Sequence, residues 1–353
     1  MKFFRLSLTI ILAAVIVAGC LPNPMKESGK IALKERDFDR ALRNLDSLVV
    51  QNPNNAEAWF LKGFAHEKLG QLEEMSTAFR KSTSLGDMYK SQIQDIINDY
   101  IARYSERFNT AVDSSRWEYA LALIDTMIII DPSDPVLYHQ GAIAAYNGDL
   151  FDVSLDYANR EIEIETGEPN IKVRRLILSI HTLRSETDEM IKWGKMILPM
   201  IDVRDKDGRD DYMRAVDALV TAYEAKEMKA ESEAIIADAL SKFPDNILLK
   251  QNLATMMMRR DDVEGALSIM KEIIERAPDN MYVNKALGIM LVDQDKYDEG
   301  VPYLLMVIEK DPNDIKALQG LTRAYYNTDQ VAKAKEMMER LKQAQEKQSQ
   351  EKK

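Results

Sequence analysis

Hydrophobic and small residues recur along most of this chain at fixed offsets within a 34-residue period, and the breaks between them carry the same punctuation. Pro244, Pro278 and Pro312 lie 34 residues apart and are followed by Asp245-Asn246, Asp279-Asn280 and Asn313-Asp314. Proline ends one helix, and the Asp or Asn behind it can cap the next by accepting a hydrogen bond from an orphan N–H, so each triplet is a stop followed by a start. Each period therefore predicts two helices. From Ile247, Leu253 and Ala254 fall on the first helix and Ala266, Met270 and Ile273 on the second. From Met281 the matching residues are Leu287, Gly288, Gly300, Leu304 and Val307, and from Ile315 they are Leu321, Tyr325, Ala334, Met338 and Leu341. Small residues let paired helices approach closely, and larger ones fill the space between neighbouring pairs.

The same punctuation stands at Pro53-Asn54-Asn55 and Pro132-Ser133-Asp134, 79 residues apart, with 112 more to Pro244. Those intervals are whole periods with eleven and ten extra residues, which places insertions near 88–100 and 202–211. The first has Ile93, Ile96, Ile97 and Ile101 at helical spacing and lengthens a helix, whereas the second, Asp202 to Asp211, is a charged loop. An early unit from Ala56 carries Trp59, Gly63 and Phe79, with Leu69-Gly70 at its turn; the unit ending at Pro132 keeps Trp117, Ala120, Ile124 and Met127 but has Arg107 where an apolar residue is usual. This pattern resembles the tetratricopeptide repeat. The resemblance implies an all-α fold, a right-handed superhelical solenoid of about nine helix pairs over residues 29–341. Residues 342–353 then form a charged tail with no apolar face after Ala344, a frayed helix end or a disordered segment.

The start of the chain reads differently. Lys2 and Arg5 precede an uncharged, mostly apolar run from Leu6 to Gly19, which has the build of a signal peptide (1–19) and is too short to span about 30 Å of hydrocarbon. It ends in Val17-Ala18-Gly19-Cys20, which resembles the lipobox of bacterial lipoproteins, where the cysteine is acylated after cleavage before it. The resemblance makes Cys20 a lipid anchor joined to the repeats by a tether over 20–28. Leu21, rather than Asp, behind the cysteine implies passage to the outer membrane, facing the periplasm.

Composition narrows the chemistry. Gly and Pro together are 25 of 353 residues, about 7%, against a usual share of roughly 12%, which favours long helices with tight connections. One Cys and three His leave little for a disulfide framework or a metal cluster, and a net charge of -11 argues against nucleic-acid binding. No nucleophile motif, phosphate-binding glycine loop or zinc signature is present, so neither an enzyme nor a cofactor is expected. His66 and His181 fall where a first helix faces its partner, and packed histidines are the reading. Glu161, Glu163 and Glu165 alternate with Ile162 and Ile164 and read as a solvated face; Met256-Met257-Met258 reads as core filling. The acids of 202–211 suggest a calcium loop, but Arg214 stands where its closing Glu belongs.

In tetratricopeptide solenoids the first helices line a groove. The resemblance places Gln251, Thr255, Arg259, Tyr282, Lys285, Ile289, Lys316, Gln319, Arg323 and Tyr326 there, four of the ten cationic in an acidic protein. Arg and Tyr dominate binding hot spots. Ile289 stands where the Asn of a dicarboxylate clamp would be. Phe60 and Phe64 occupy matching positions in the early unit and offer an apolar contact. The expected partners are envelope proteins held as a peptide or helix in the groove, with the membrane reached through the lipid. A scaffold or adaptor for assembly or secretion machinery follows, and a carbohydrate- or peptidoglycan-associated module is the alternative.

Overall fold

The computed structural model describes residues 23–351; Cys20 and the leader lie outside them, as do the last two lysines. Among the described residues there are eighteen α-helices and no strand. They fall into two compact units. The first holds α1 (Pro24–Lys34), α2 (Phe38–Gln51), α3 (Ala56–Leu69), α4 (Leu72–Leu85), α5 (Lys90–Asp113), α6 (Trp117–Ile130), α7 (Pro135–Asn147), α8 (Phe151–Ile164) and α9 (Ile171–Leu183). The second holds α10 (Thr187–Ile197), a 3-10 turn Leu198–Met200, α11 (Lys206–Ala225), α12 (Lys229–Lys242), α13 (Ile247–Arg259), α14 (Val263–Arg276), α15 (Met281–Asp293), α16 (Tyr297–Lys310), α17 (Ile315–Asn327) and α18 (Val331–Glu351). First and second helices alternate nine times.

The punctuation works as its chemistry dictates. Asn55, Asp134, Asn246, Asn280 and Asp314 each cap a first helix, their side chains accepting from Ala58, Val136, Leu249, Val283 and Ala317 N–H at 2.9–3.1 Å. The fourth residue of several first helices ties back to the proline carbonyl: Trp59 Nε1 donates to Pro53 O at 2.9 Å, Tyr138 OH to Pro132 O at 3.1 Å and Asn284 Nδ2 to Pro278 O at 2.8 Å.

The turn between first and second helix has a second signature. It holds a left-handed residue in every repeat: Arg36, Gly70, Ser115, Asp149, Ser185, Glu227, Asp261, Asp295 and Asp329, with φ of 52–70°. Only one of the nine is glycine. Counting each repeat so that this residue is position 15, the repeats start at 22, 56, 101, 135, 171, 213, 247, 281 and 315. The eleven extra residues before the third repeat extend α5 to 24 residues. The other ten do not form one charged loop. Two fall between α8 and α9, around Pro169-Asn170, and eight precede the sixth repeat at 213, most of them lengthening α11 at its start. Six of the ten residues 202–211 are helical instead, because Asp205 accepts the Gly208 N–H at 2.7 Å and starts α11 at Lys206.

Position 20 is buried in all nine repeats, by Ala41, Met75, Ala120, Ser154, Met190, Ser232, Ala266, Gly300 and Ala334. Close approach is explicit where position 8 is glycine: a Cβ on Gly63 would lie about 2.5 Å from Phe79 Cε1, and one on Gly288 would lie 2.7 Å from Leu304 Cγ. Three expectations are corrected. Glu161 occupies position 27, which the fold buries, so it is 1% exposed rather than on a solvated face. Residues 24–28 of the proposed tether belong to α1, started by Asn23 accepting from Met25 N–H and by Pro24 at its first turn. The tail continues α18 to Glu351, with Ala344 buried at 3%, rather than fraying.

Candidate functional site

The first helices carry the groove positions, and neighbouring first helices pack on one another at α1–α3, α7–α9 and α15–α17. Side-chain links join them through these positions. Lys26 and Lys30 of α1 hold Glu57 of α3 at 2.8 and 2.5 Å; burial pushes the Glu57 carboxyl up, but the two lysines outweigh it and hold it below the ordinary value. Gln251 Nε2 donates to Asn280 Oδ1 at 3.2 Å, the Thr255 hydroxyl lies 3.3 Å from Tyr282 OH, and Lys285 Nζ donates to Asp314 Oδ2 at 2.8 Å.

This changes the reading of the cationic stripe. Arg259 pairs with Glu224 of α11, Lys285 with Asp314, and Arg323 with Asp293 at 2.6 Å and Asp295 at 3.5 Å. Three of the four groove cations are thus joints between repeats. Sequence offsets place a cation on the groove face, but only the stacking of the next repeat brings a carboxylate beside it. Lys316 remains exposed on α17 and, with Lys285 and Lys347, lines a cleft of about 510 Å³ that also contains Asp311 and Asp314. Gln319 is exposed beside it. Tyr282 and Tyr326 are open to solvent, at 51% and 67%.

The early aromatic pair is not an open platform. Phe60 stacks on Tyr89 at 4.5 Å with planes 10° apart and lies 6.1 Å from Phe79. Phe64 has Lys68 Nζ 4.8 Å from its ring centre. In their place the structure exposes Val136 and Ile143 on α7 and Leu248 on α13, at 56%, 41% and 50%. Val136 and Leu248 share position 2 with Tyr282, and Ile143 sits at position 9; the weaker early repeats hid Val136 and Ile143, whereas Leu248 lies in a repeat whose register the proline spacing gave.

A second polar cluster was also illegible. Buried Glu161 receives His139 Nδ1 at 3.0 Å and Asn170 Nδ2 at 2.6 Å, while Glu165 receives Arg174 Nη2 at 2.7 Å and Nη1 at 3.2 Å. The Arg174 guanidinium holds the Glu165 carboxyl below its ordinary value against the opposing effect of burial. This network joins α7, α8 and α9, and every group in it is satisfied by a neighbour, as a structural brace requires. His66, 8% exposed, lies 2.7 Å through Nδ1 from Gln71 Oε1, and His181 is buried to the same degree. Met256 is buried, and Met257 and Met258 pack against the core around Ala254 and Met270.

Two segments of the chain, residues 27–74 and 291–351, match family models described as tetratricopeptide repeats. No curated protein sequence matches the chain. Among solved structures, the C-terminal part of a TPR repeat-containing protein from Cytophaga hutchinsonii is similar with a TM-score of 0.52 at 12% identity, over 67% of this chain and 93% of that one. A structure of YrrB, described as a TPR protein with an unusual peptide-binding site, is similar at 17% identity over 63% of this chain and 92% of that one, with a TM-score of 0.34. A structure of MamA is similar at 19% identity over 51% and 98%, with a TM-score of 0.38. The matched repeats at both ends of the described region, the nine turns of one kind between them and the shared fold lead to one conclusion: this chain is an α solenoid built of tetratricopeptide-repeat helix pairs.

Proposed function

We propose that this protein is a non-catalytic scaffold or adaptor that binds partner proteins along its first-helix faces, supports assembly or secretion machinery in a bacterial envelope, and is held to the outer membrane by lipid on Cys20. The observation that carries the binding reading is the set of large apolar side chains left exposed on first helices: Val136 and Ile143 in one unit, Leu248, Tyr282 and Tyr326 in the other. Exposed apolar groups at recurring groove positions, with Arg259, Lys285 and Arg323 already paired, suit a partner that buries side chains. The anchor rests on the apolar run Leu6 to Gly19 and the Cys20 that closes it.

The test is a quantitative cross-linked pull-down from intact envelopes, comparing the native chain with Leu248→Ser/Tyr282→Ala, whose side chains are exposed enough for the fold to tolerate the change. Enrichment of an assembly or secretion component that is lost in the variant is the expected result. Equal recovery by both chains overturns the groove reading, and enrichment of cell-wall sugars without protein replaces it with the glycan-binding one. Cys20→Ala is expected to move the protein into the soluble fraction; retention in membranes overturns the lipid anchor.

A further inference from the structure

Position 24 is buried in the first eight repeats and open in the ninth. Its side chain lies against its own first helix and against the first helix of the next repeat, as Leu304 does between Gly288 and Gly320. In the first eight repeats it is Leu45, Phe79, Ile124, Ala158, Gly194, Ile236, Met270 and Leu304, and all are buried. In the ninth it is Met338, 54% exposed. Three more positions follow suit. Position 27 is buried in all eight earlier repeats and half-buried at Leu341; position 12, where the eighth repeat buries Val292 to 1%, is Tyr326 at 67%; position 28, where that repeat buries Ile308, is the exposed Lys342.

The far end of the array is treated differently. The outer positions of α1 are Pro24, Glu27, Ser28 and Lys34 around a single exposed Ile31, a polar end of the kind that caps repeat arrays. On the ninth repeat the exposed Met338 and Tyr326 stand beside the exposed cations Lys335 and Lys342. Among the described residues nothing covers Tyr326 and Met338, while Leu341 packs half-buried against the core around Leu321 and Met337.

We infer that the end face of the ninth repeat, centred on Met338, docks an acidic amphipathic helix from a partner protein, in the place a further first helix would take. The array's own junctions define the shape of the occupant. At the preceding junction α17 lays Ala317, Leu321 and Ala324, at i, i+4 and i+7, against the eighth repeat, all three fully buried. Charge defines its sign. Residues 315–350 carry seven Lys and Arg against four Asp and Glu, in a chain whose net charge is -11. Lys342 sits on the face itself and Lys316 is exposed on the same repeat. Met supplies the adaptable contact that suits a partner helix rather than a fixed internal neighbour. Tyr326 and Lys316 also stand at groove positions, but Met338 and Lys342 on α18 do not, so Met338→Glu and Leu248→Ser separate this reading from the groove one.

The test uses the full chain and a fluorescein-labelled peptide about 20 residues long, with Ala-Leu-Ala at i, i+4 and i+7 and Glu at its other exposed positions. A control peptide carries Lys in place of Glu. Fluorescence anisotropy is expected to show saturable binding of the acidic peptide, weakened at least about tenfold by Met338→Glu, by the Lys control and by 0.5 M salt. Tyr326→Ala serves as a second, independently folded variant, and Leu248→Ser is expected to leave binding unchanged. No binding, or binding that Met338→Glu and Tyr326→Ala leave untouched, overturns the inference. So does concentration-dependent dimerisation in sedimentation that Met338→Glu abolishes, which gives the face to a second copy. A photo-cross-link from position 338 into residues 1–22 gives it to the chain's own leader and overturns the inference equally.

Discussion

The Asp314 carboxylate serves two helices at once: one oxygen accepts the Ala317 N–H at 2.9 Å and starts α17, and the other holds Lys285 Nζ of α15 at 2.8 Å. The residue that begins one repeat therefore also fastens the previous one.

Removing either partner should cost unequal amounts. Lys285→Ala loses a partly exposed ion pair, about 0.5–1 kcal/mol. Asp314→Ala loses that pair and the cap, about 1–2 kcal/mol. Urea unfolding followed by circular dichroism checks the order; a Lys285→Ala midpoint as low as that of Asp314→Ala contradicts it.

The left-handed turns should be improvable. Glu227 and Arg36 hold positive φ at 57° and 59° with side chains that disfavour it. Glycine adopts this conformation freely, though it loses more entropy on folding, so Glu227→Gly is expected to stabilise by up to about 1 kcal/mol. Gly70→Val, at the same position in the second repeat, is expected to destabilise. Thermal midpoints of the two variants should move in opposite directions.

Gly63 should not tolerate a methyl group. Its missing Cβ would meet the ring of Phe79, which is fully buried and cannot swing away. Gly63→Ala is expected to cost about 1–3 kcal/mol through overpacking. Pairing it with Phe79→Leu, which frees space at the ring, should recover part of that loss in the same unfolding assay.

The Glu165–Arg174 pair should make part of the stability acid-sensitive. The folded Glu165 carboxyl titrates below its ordinary 4.5, so its contribution is complete above that value and is lost as pH falls through the lowered one. Glu165→Gln is expected to be less stable than the native chain at pH 7 by about 1–3 kcal/mol, with the difference narrowing below pH 4. A gap of constant size from pH 7 to pH 3 would show that the pair contributes nothing through its charge.

The period, the helix pairs and their caps were legible in the amino-acid sequence because each rests on local chemistry. Proline stops a helix wherever it stands, Asn280 or Asp314 caps the helix that begins beside it, and a small residue such as Gly288 marks a close approach whatever surrounds it. The even 34-residue spacing of the last three repeats even placed Tyr282 and Tyr326 on the exposed face. What the sequence alone could not decide was partnership across repeats. Glu161 is polar, yet it lies buried because position 27 faces inward. Arg259, Lys285 and Arg323 looked like free groove cations, yet stacking sets Glu224, Asp314 and Asp293 beside them. Phe60 looked open until Tyr89, from a loop with no periodic signal, stacked on it. Met338 follows the same pattern as Leu304, and only the three-dimensional stack distinguishes a buried position from an open end. Local chemistry acts over a few residues and leaves its mark in the order of the chain; burial and pairing are set by neighbours some thirty residues away, and only the packed helices bring those together.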